Sequence, residues 1–174
     1  IQPNINLSTE LGLNKTSFLE NEIKYILLLI NKKSLVLQEK INLISMGETF
    51  TAKILNEFLK LNHLNSFYLD SLKFINCNLS NVSIYNKGEF NVNNQVLIDE
   101  FNKYSVIIVP GFRGSNNDGD VSLMGRGGSD TTGSIIAASL ESQVYQIWTD
   151  VNGIYSGDPN KLKNVNICLL YTSP

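Results

Sequence analysis

Histidine, cysteine and tryptophan are scarce in this 174-residue sequence: one His (His63), two Cys (Cys77 and Cys168) and one Trp. So small a supply speaks against a His-based zinc site, a Ser–His–Asp triad and a disulfide scaffold. Basic excess is also lacking, with 14 Lys and Arg against 16 Asp and Glu for a net charge of −2. That balance argues against nucleic acid as a partner. The longest apolar run, Tyr25 to Ile30, falls far short of the ~20 residues of a spanning helix, so no membrane segment is expected. Ile1-Gln2-Pro3 starts neither with Met nor with a charged stretch leading into an apolar one, and the default placement is cytoplasmic. What is abundant is Asn, with 23 residues spread along the chain; this reads as compositional bias and is unlike a hyperthermophile protein.

At 43% apolar and 17% charged residues, the chain has ordinary globular composition and length enough for one core. Phe18, Leu19, Ile23, Ile26, Leu27 and Ile30 recur at helical spacing. Asn31-Lys32-Lys33-Ser34 breaks that helix, a second is expected over Leu35 to Ile44, and a third over Glu48 to Leu61. In the third, Ala52, Leu55, Phe58 and Leu59 share a face. Phe67 to Leu69 and Leu72 to Ile75 are short strand candidates, and Asn86-Lys87-Gly88 reads as a turn. Gln95 to Tyr104 reads as a helix and Ser105 to Val109 as a buried parallel strand. A polar, Gly-rich stretch from Gly111 to Asp130 follows, then a helix from Thr131 to Leu140 and a second buried strand from Val144 to Thr149. The expected class is α/β, with a mostly parallel sheet covered by helices.

Chemistry concentrates in Gly125-Arg-Gly-Gly-Ser-Asp130 at a helix start. Glycines admit a ligand close to the backbone, and the first N–H groups of a helix carry partial positive charge. Arg126 adds a planar fork for a carboxylate or phosphate, and Asp130 adds an acid. The plain alternative is an ordinary loop with Ser129 or Asp130 as N-cap. Thr149 and Asp150 stand at an expected strand end, where α/β sheets bind ligands; Asp150 in a self-satisfied turn is the alternative. Ser45-Met46-Gly47-Glu48 is expected to join two helices, with Glu48 as a helix-terminal carboxylate, which on its own is more often a cap. Gly114 to Gly119 is followed by Asp120 where a P-loop needs Lys. A calcium loop fails as well, with Gly at both its first and twelfth positions.

Taken together, Ser45-Met-Gly-Glu48, Gly111-Phe-Arg-Gly114, Gly125-Arg-Gly-Gly-Ser-Asp130, Trp148-Thr-Asp-Val-Asn-Gly-Ile-Tyr155 and Asp158-Pro159, in this order, resemble the aspartokinases of the amino acid kinase family. The resemblance covers about Leu35 to Ile167. It implies a three-layer αβα amino acid kinase fold and phosphoryl transfer from MgATP to the side-chain carboxylate of L-aspartate. The product, 4-phosphoaspartate, leads to lysine, threonine, methionine and diaminopimelate. By the same resemblance, Arg126 pairs with the substrate α-carboxylate, Glu48 faces its ammonium and Ser129 assists. Asp130 organises the transfer centre, and Thr149, Asp150 and Tyr155 line the nucleotide site. ATP and Mg2+ are thus the implied cofactors, and a full-length parent is expected to be a homo-oligomer. Phosphoryl transfer rests on positioning and charge neutralisation, so few His and Cys are no obstacle.

Three departures go with this resemblance. The family's Lys-Phe-Gly-Gly-Thr-Ser type motif does not occur, Asn160 stands where the family has Arg after Asp-Pro, and Cys168 to Pro174 does not resemble the family's continuation. The expectation is therefore a partial catalytic domain over residues 1–167, mostly helical at first and α/β on the nucleotide side from residue 93. Residues 168–174 form a non-family tail, and the chain alone is expected to be inactive. A glutamate or acetylglutamate kinase type and a non-catalytic ligand-binding relative are the alternatives.

Overall fold

The computed structural model describes residues 2–13, 16–78, 89–148, 154–157, 161–162 and 164–168. Two compact units divide the chain, residues 1–143 and 144–174. The first begins with helices α1 (Gln2–Glu10), α2 (Glu20–Ile30) and α3 (Leu37–Leu61), with a 3-10 turn at Ser17–Leu19 ahead of α2. Leu19, Met46, Phe50 and Ile54 form the core between them, with Phe18, Ile23 and Ile26 packed against it. Of the stripe read from the sequence, Phe18, Leu19, Ile23 and Ile26 face this core, whereas Leu27 and Ile30 are exposed and Leu29 is buried instead.

α3 is one helix of 25 residues, whereas the sequence pattern predicts two. A lone glycine inside a helix costs about 1 kcal/mol. Met46 and Phe50, buried on either side of Gly47, each return about 1.5–3 kcal/mol, so the helix runs through. Ser45-Met46-Gly47-Glu48 is therefore mid-helix, and Glu48 is not a helix-terminal carboxylate. The buried face also differs by one residue: Ile54 is buried, whereas Leu55 is exposed. At the start of α3, the Glu39 carboxylate accepts the Val36 N–H at 3.1 Å and an ion pair with Lys32, satisfying a donor the helix leaves open.

The strands are β1 (Ser66–Tyr68), β2 (Ile75–Asn78), β3 (Glu89–Val92), β4 (Val106–Ile108), β5 (Arg113–Ser115) and β6 (Val121–Leu123), with α4 (Asn94–Phe101) before β4 and α5 (Gly128–Ser139) after β6. β1 and β4 pair in parallel, and a second sheet runs β3-β2-β5-β6, with β2 and β5 parallel and hairpin-type antiparallel pairs at each side. The α/β class follows. Leu69, Phe74, Ile75, Cys77 and Leu97 make the second core, against which Ile107, Val109, Ile135 and Ile136 pack.

Of the strand candidate Leu72 to Ile75, Ile75 alone is in a strand, where it opens β2: Ser71–Lys73 forms a 3-10 turn capped by Asp70, whose carboxylate accepts the Leu72 N–H at 3.0 Å. Within the stretch read as a loop, β5 and β6 form a hairpin closed by Asn116, whose side chain accepts the N–H groups of Asp118 and Asp120 at 3.0 and 2.8 Å. β5 shows no apolar alternation because its inward residue is Arg113. Val144 to Trp148 carries no strand, and Val144 and Trp148 are exposed. Strand candidates need a ladder partner, and none pairs with this segment among the described residues. The Asn86-Lys87-Gly88 turn lies outside the described residues. In the second unit, β7 (Ile154–Tyr155) and β8 (Ile167–Cys168) pair antiparallel.

Candidate substrate site

β4 delivers the chain through buried Pro110 to Gly111. A Cβ at Gly111 would lie 2.9 Å from the Ser129 Cα, so only glycine admits the start of α5 this close. Phe112 then takes φ 68°, a left-handed conformation that costs a bulky residue of order 1–3 kcal/mol. Its backbone is held from both sides: the N–H donates to Thr132 Oγ1 at 3.0 Å, and the carbonyl accepts the Met124 N–H at 2.8 Å. The first turn of α5 is thereby pinned against Gly111 and Phe112.

That pinning sets Ser129 opposite α3. The Ser129 hydroxyl donates to Glu48 Oε1 at 3.0 Å, across 81 residues of sequence. Arg126 stands exposed between Gly125 (φ 75°) and Gly127 (φ 72°), and exposed Asp130 lies in the first turn of α5. The N-cap is Gly127 and makes no side-chain cap bond, so neither Ser129 nor Asp130 is the N-cap. The N–H groups of the first turn point along the axis toward the Arg126 turn, as helix geometry requires. A cavity of about 380 Å³ beside this rim is lined by Glu48, Val109, Gly111, Ser129, Thr132 and Ile136, among others. A cation-seeking carboxylate stands beside an anion-seeking turn, and the pair suits a zwitterion.

Of four site residues named from the sequence, Glu48 lies on α3, Ser129 and Asp130 on the first turn of α5 and Arg126 in the turn before it, and Glu48 and Ser129 touch. Thr149 and Asp150 lie outside the described residues, and Tyr155 lies in β7 of the second unit. Among the described residues no cluster of three or more His, Cys, Asp or Glu could cage a metal. Mg2+ is usually held by one or two carboxylates plus substrate phosphates, and a single carboxylate such as Asp130 beside helix N–H groups fits that mode.

A second polar group was not assigned a role from the sequence. Arg113 of β5 is 6% exposed. Its Nη2 donates to Asp70 Oδ1 and Oδ2 at 2.8 and 2.9 Å, and Nη1 to Thr49 Oγ1 at 2.7 Å, with Ser45 Oγ at 3.4 Å. Burial pushes the neighbouring Tyr68 phenol far above its usual range, with the Asp70 charge adding to it, so the phenol stays neutral. The available signal was an Arg directly after Gly111-Phe112, which must find a carboxylate if the strand is buried. Cys77 is held up to about 11 by burial and is an inert core thiol.

A family model described as the amino acid kinase family matches residues 6–168. The chain belongs to that family. Among its relatives, Aspartokinase 2 of Bacillus subtilis is 40% identical over 73 residues, 42% of this chain and 18% of that protein. The bifunctional aspartokinase/homoserine dehydrogenase of Buchnera aphidicola is 30% identical over 124 residues, 71% of this chain and 14% of the relative. Escherichia coli aspartokinase III in complex with aspartate and ADP (R-state) superposes with a TM-score of 0.73 at 26% identity, covering 89% of this chain and 36% of that one. The fold is therefore that of the aspartokinase structures, and the chain spans little more than a third of their length.

Proposed function

We propose that the chain carries the acceptor side of an aspartate kinase, which transfers the γ-phosphoryl group of MgATP to the side-chain carboxylate of L-aspartate. The observation that carries this reading is the Ser129–Glu48 hydrogen bond. It joins two motifs at one rim, with Arg126 and Asp130 on the same turn and helix start. The likeness to a structure holding aspartate and ADP supports it.

In this reading the Arg126 guanidinium pairs with the substrate α-carboxylate, with the N–H groups of the α5 first turn adding partial positive charge. Glu48 faces the substrate ammonium, and the Ser129 hydroxyl holds the Glu48 carboxylate in place. These contacts fix the two charged groups on the substrate Cα, so the side-chain carboxylate at the other end is left free to attack. Positioning of this kind is the main thing an enzyme contributes to phosphoryl transfer. Asp130 would hold Mg2+, which would supply charge neutralisation for the phosphoryl group. Thr149, Asp150 and Tyr155 are proposed for the nucleotide. The lysine, threonine and methionine pathways, cytoplasmic placement and a homo-oligomeric parent complete the proposal. Residues 1–167 are proposed as part of a catalytic domain that does not turn over alone.

A charge-assisted hydrogen-bonded contact contributes about 1.5–3 kcal/mol, so Arg126→Ala should weaken L-aspartate binding about 10–100-fold and leave MgATP binding nearly intact. Calorimetric titration of each ligand measures both. Equal loss of the two ligands contradicts the role given to Arg126.

A further inference from the structure

Arg113 lies in none of the motif positions given a role above, yet it ties together the elements on which the substrate rim depends. It sits on β5 directly after Gly111 and Phe112, the two residues that the start of α5 packs against. From there its guanidinium reaches Thr49 and Ser45 on α3 and Asp70 ahead of the 3-10 turn. Thr49 is the residue next to Glu48. The distance from Ser129 to Glu48 is thus set by a closed path: α5 against Gly111–Phe112, then Arg113, then Thr49, then Glu48.

We propose that Arg113, held by Asp70, is a positioning residue that fixes α3 against the start of α5, so that Glu48 meets the substrate ammonium. This rests on the acceptor-site reading for its ligand, but not for its geometry. A planar, always charged guanidinium suits the task, because it bonds in two directions at once from a buried site. Asp70 neutralises it, and the Thr49 and Ser45 hydroxyls convert the charge into a fixed distance to α3. A lysine at the same place supplies one ammonium on a flexible stem. It can keep the Asp70 ion pair while losing the second direction. An apolar residue of similar length loses both and leaves Asp70 without its cation.

The test uses the 174-residue chain and two readouts. L-aspartate binding is titrated for the wild type, Arg113→Met, Arg113→Lys and Thr49→Val. The expected result is a loss of about tenfold for Arg113→Met and Thr49→Val, a size typical for one hydrogen bond to a charged group. Arg113→Lys should fall between wild type and Arg113→Met. The second readout needs no ligand: the Glu48→Ala/Ser129→Ala double-mutant cycle in urea, run in the wild-type and Arg113→Lys backgrounds. The Glu48–Ser129 coupling should at least halve in the second background. Thr49→Val removes only a hydroxyl, so it keeps the test open if Arg113→Met does not fold. Unchanged coupling in the Arg113→Lys background overturns the proposal, as does wild-type aspartate affinity in Thr49→Val. If wild-type chain binds no aspartate while the coupling is lost as expected, the acceptor-site reading fails and the positioning role stands.

Discussion

Two glycines of the candidate site should respond to the same substitution with opposite sign. Gly128 opens α5, and a Cβ there would lie 2.7 Å from Phe112 Cδ2, 3.0 Å from Phe112 Cα and 3.1 Å from Met124 Cβ. The Phe112 ring can swing, but its Cα belongs to a backbone bonded to Thr132 and Met124 and already held at positive φ. Relief therefore requires α5 to move away from Phe112. Inserting a methyl group into a packed region costs about 1–3 kcal/mol, and the stiffer unfolded chain of alanine returns about 0.4–1 kcal/mol. The net expectation for Gly128→Ala is a loss of about 0.5–2 kcal/mol. Gly47, in the middle of α3, has nothing within 4 Å of the added carbon. There Gly47→Ala should stabilise by about 0.5–1 kcal/mol. Urea unfolding of the two variants reads both, as midpoints shifted in opposite directions with unchanged slope. A stabilised Gly128→Ala would refute the close approach of α5 to Phe112, and a destabilised Gly47→Ala would refute a continuous α3.

Further predictions concern titration and reactivity. Cys77 keeps its proton up to about 11 in the fold, above the ordinary thiol range, so native chain should leave it unmodified by thiol reagents at pH 8 and expose it in urea; rapid native labelling of Cys77, located by peptide mapping, would contradict its burial. Because the folded value is raised, stability is fully present below the ordinary thiol value of 9.0 and should decline from there to about 11 as the unfolded chain ionises first. Glu39 has the opposite sign. The hydrogen bond from Lys32, and then that from the Val36 N–H, hold its carboxyl below the usual 4.5. Its support for the start of α3 should therefore be present above that value and fade as pH falls below it, and Glu39→Gln should flatten that acid limb; an identical acid limb in the variant would remove Glu39 as its cause.

The contrast between Ser129 and Arg113 shows what pattern can and cannot disclose. The placement of Arg126, Ser129 and Asp130 at a helix start was legible because glycines, a charge and a helix start are a local signature. Glu48 was legible by motif alone; its actual setting in mid-helix was not, because the cost of Gly47 is local while the burial of Met46 and Phe50 that outweighs it is tertiary. The β5–β6 hairpin was hidden for a related reason. Its inward side chain is Arg113, and a strand that buries a charge shows no apolar alternation. Only the presence of Asp70 on the neighbouring turn makes that burial affordable, and nothing local links residues 43 positions apart. The helices α2, α4 and α5 were legible from periodicity to within a few residues, whereas Val144 to Trp148 has strand-like composition without a ladder partner among the described residues.

The most direct test of the acceptor site is an NMR titration of the 174-residue chain with L-aspartate, with L-glutamate as competitor. Saturable shifts should centre on the backbone of Arg126 to Asp130 and on Glu48, and aspartate should outcompete glutamate. Shifts that leave these residues unmoved, or a tighter fit for glutamate, would contradict an aspartate site at the rim between α3 and α5.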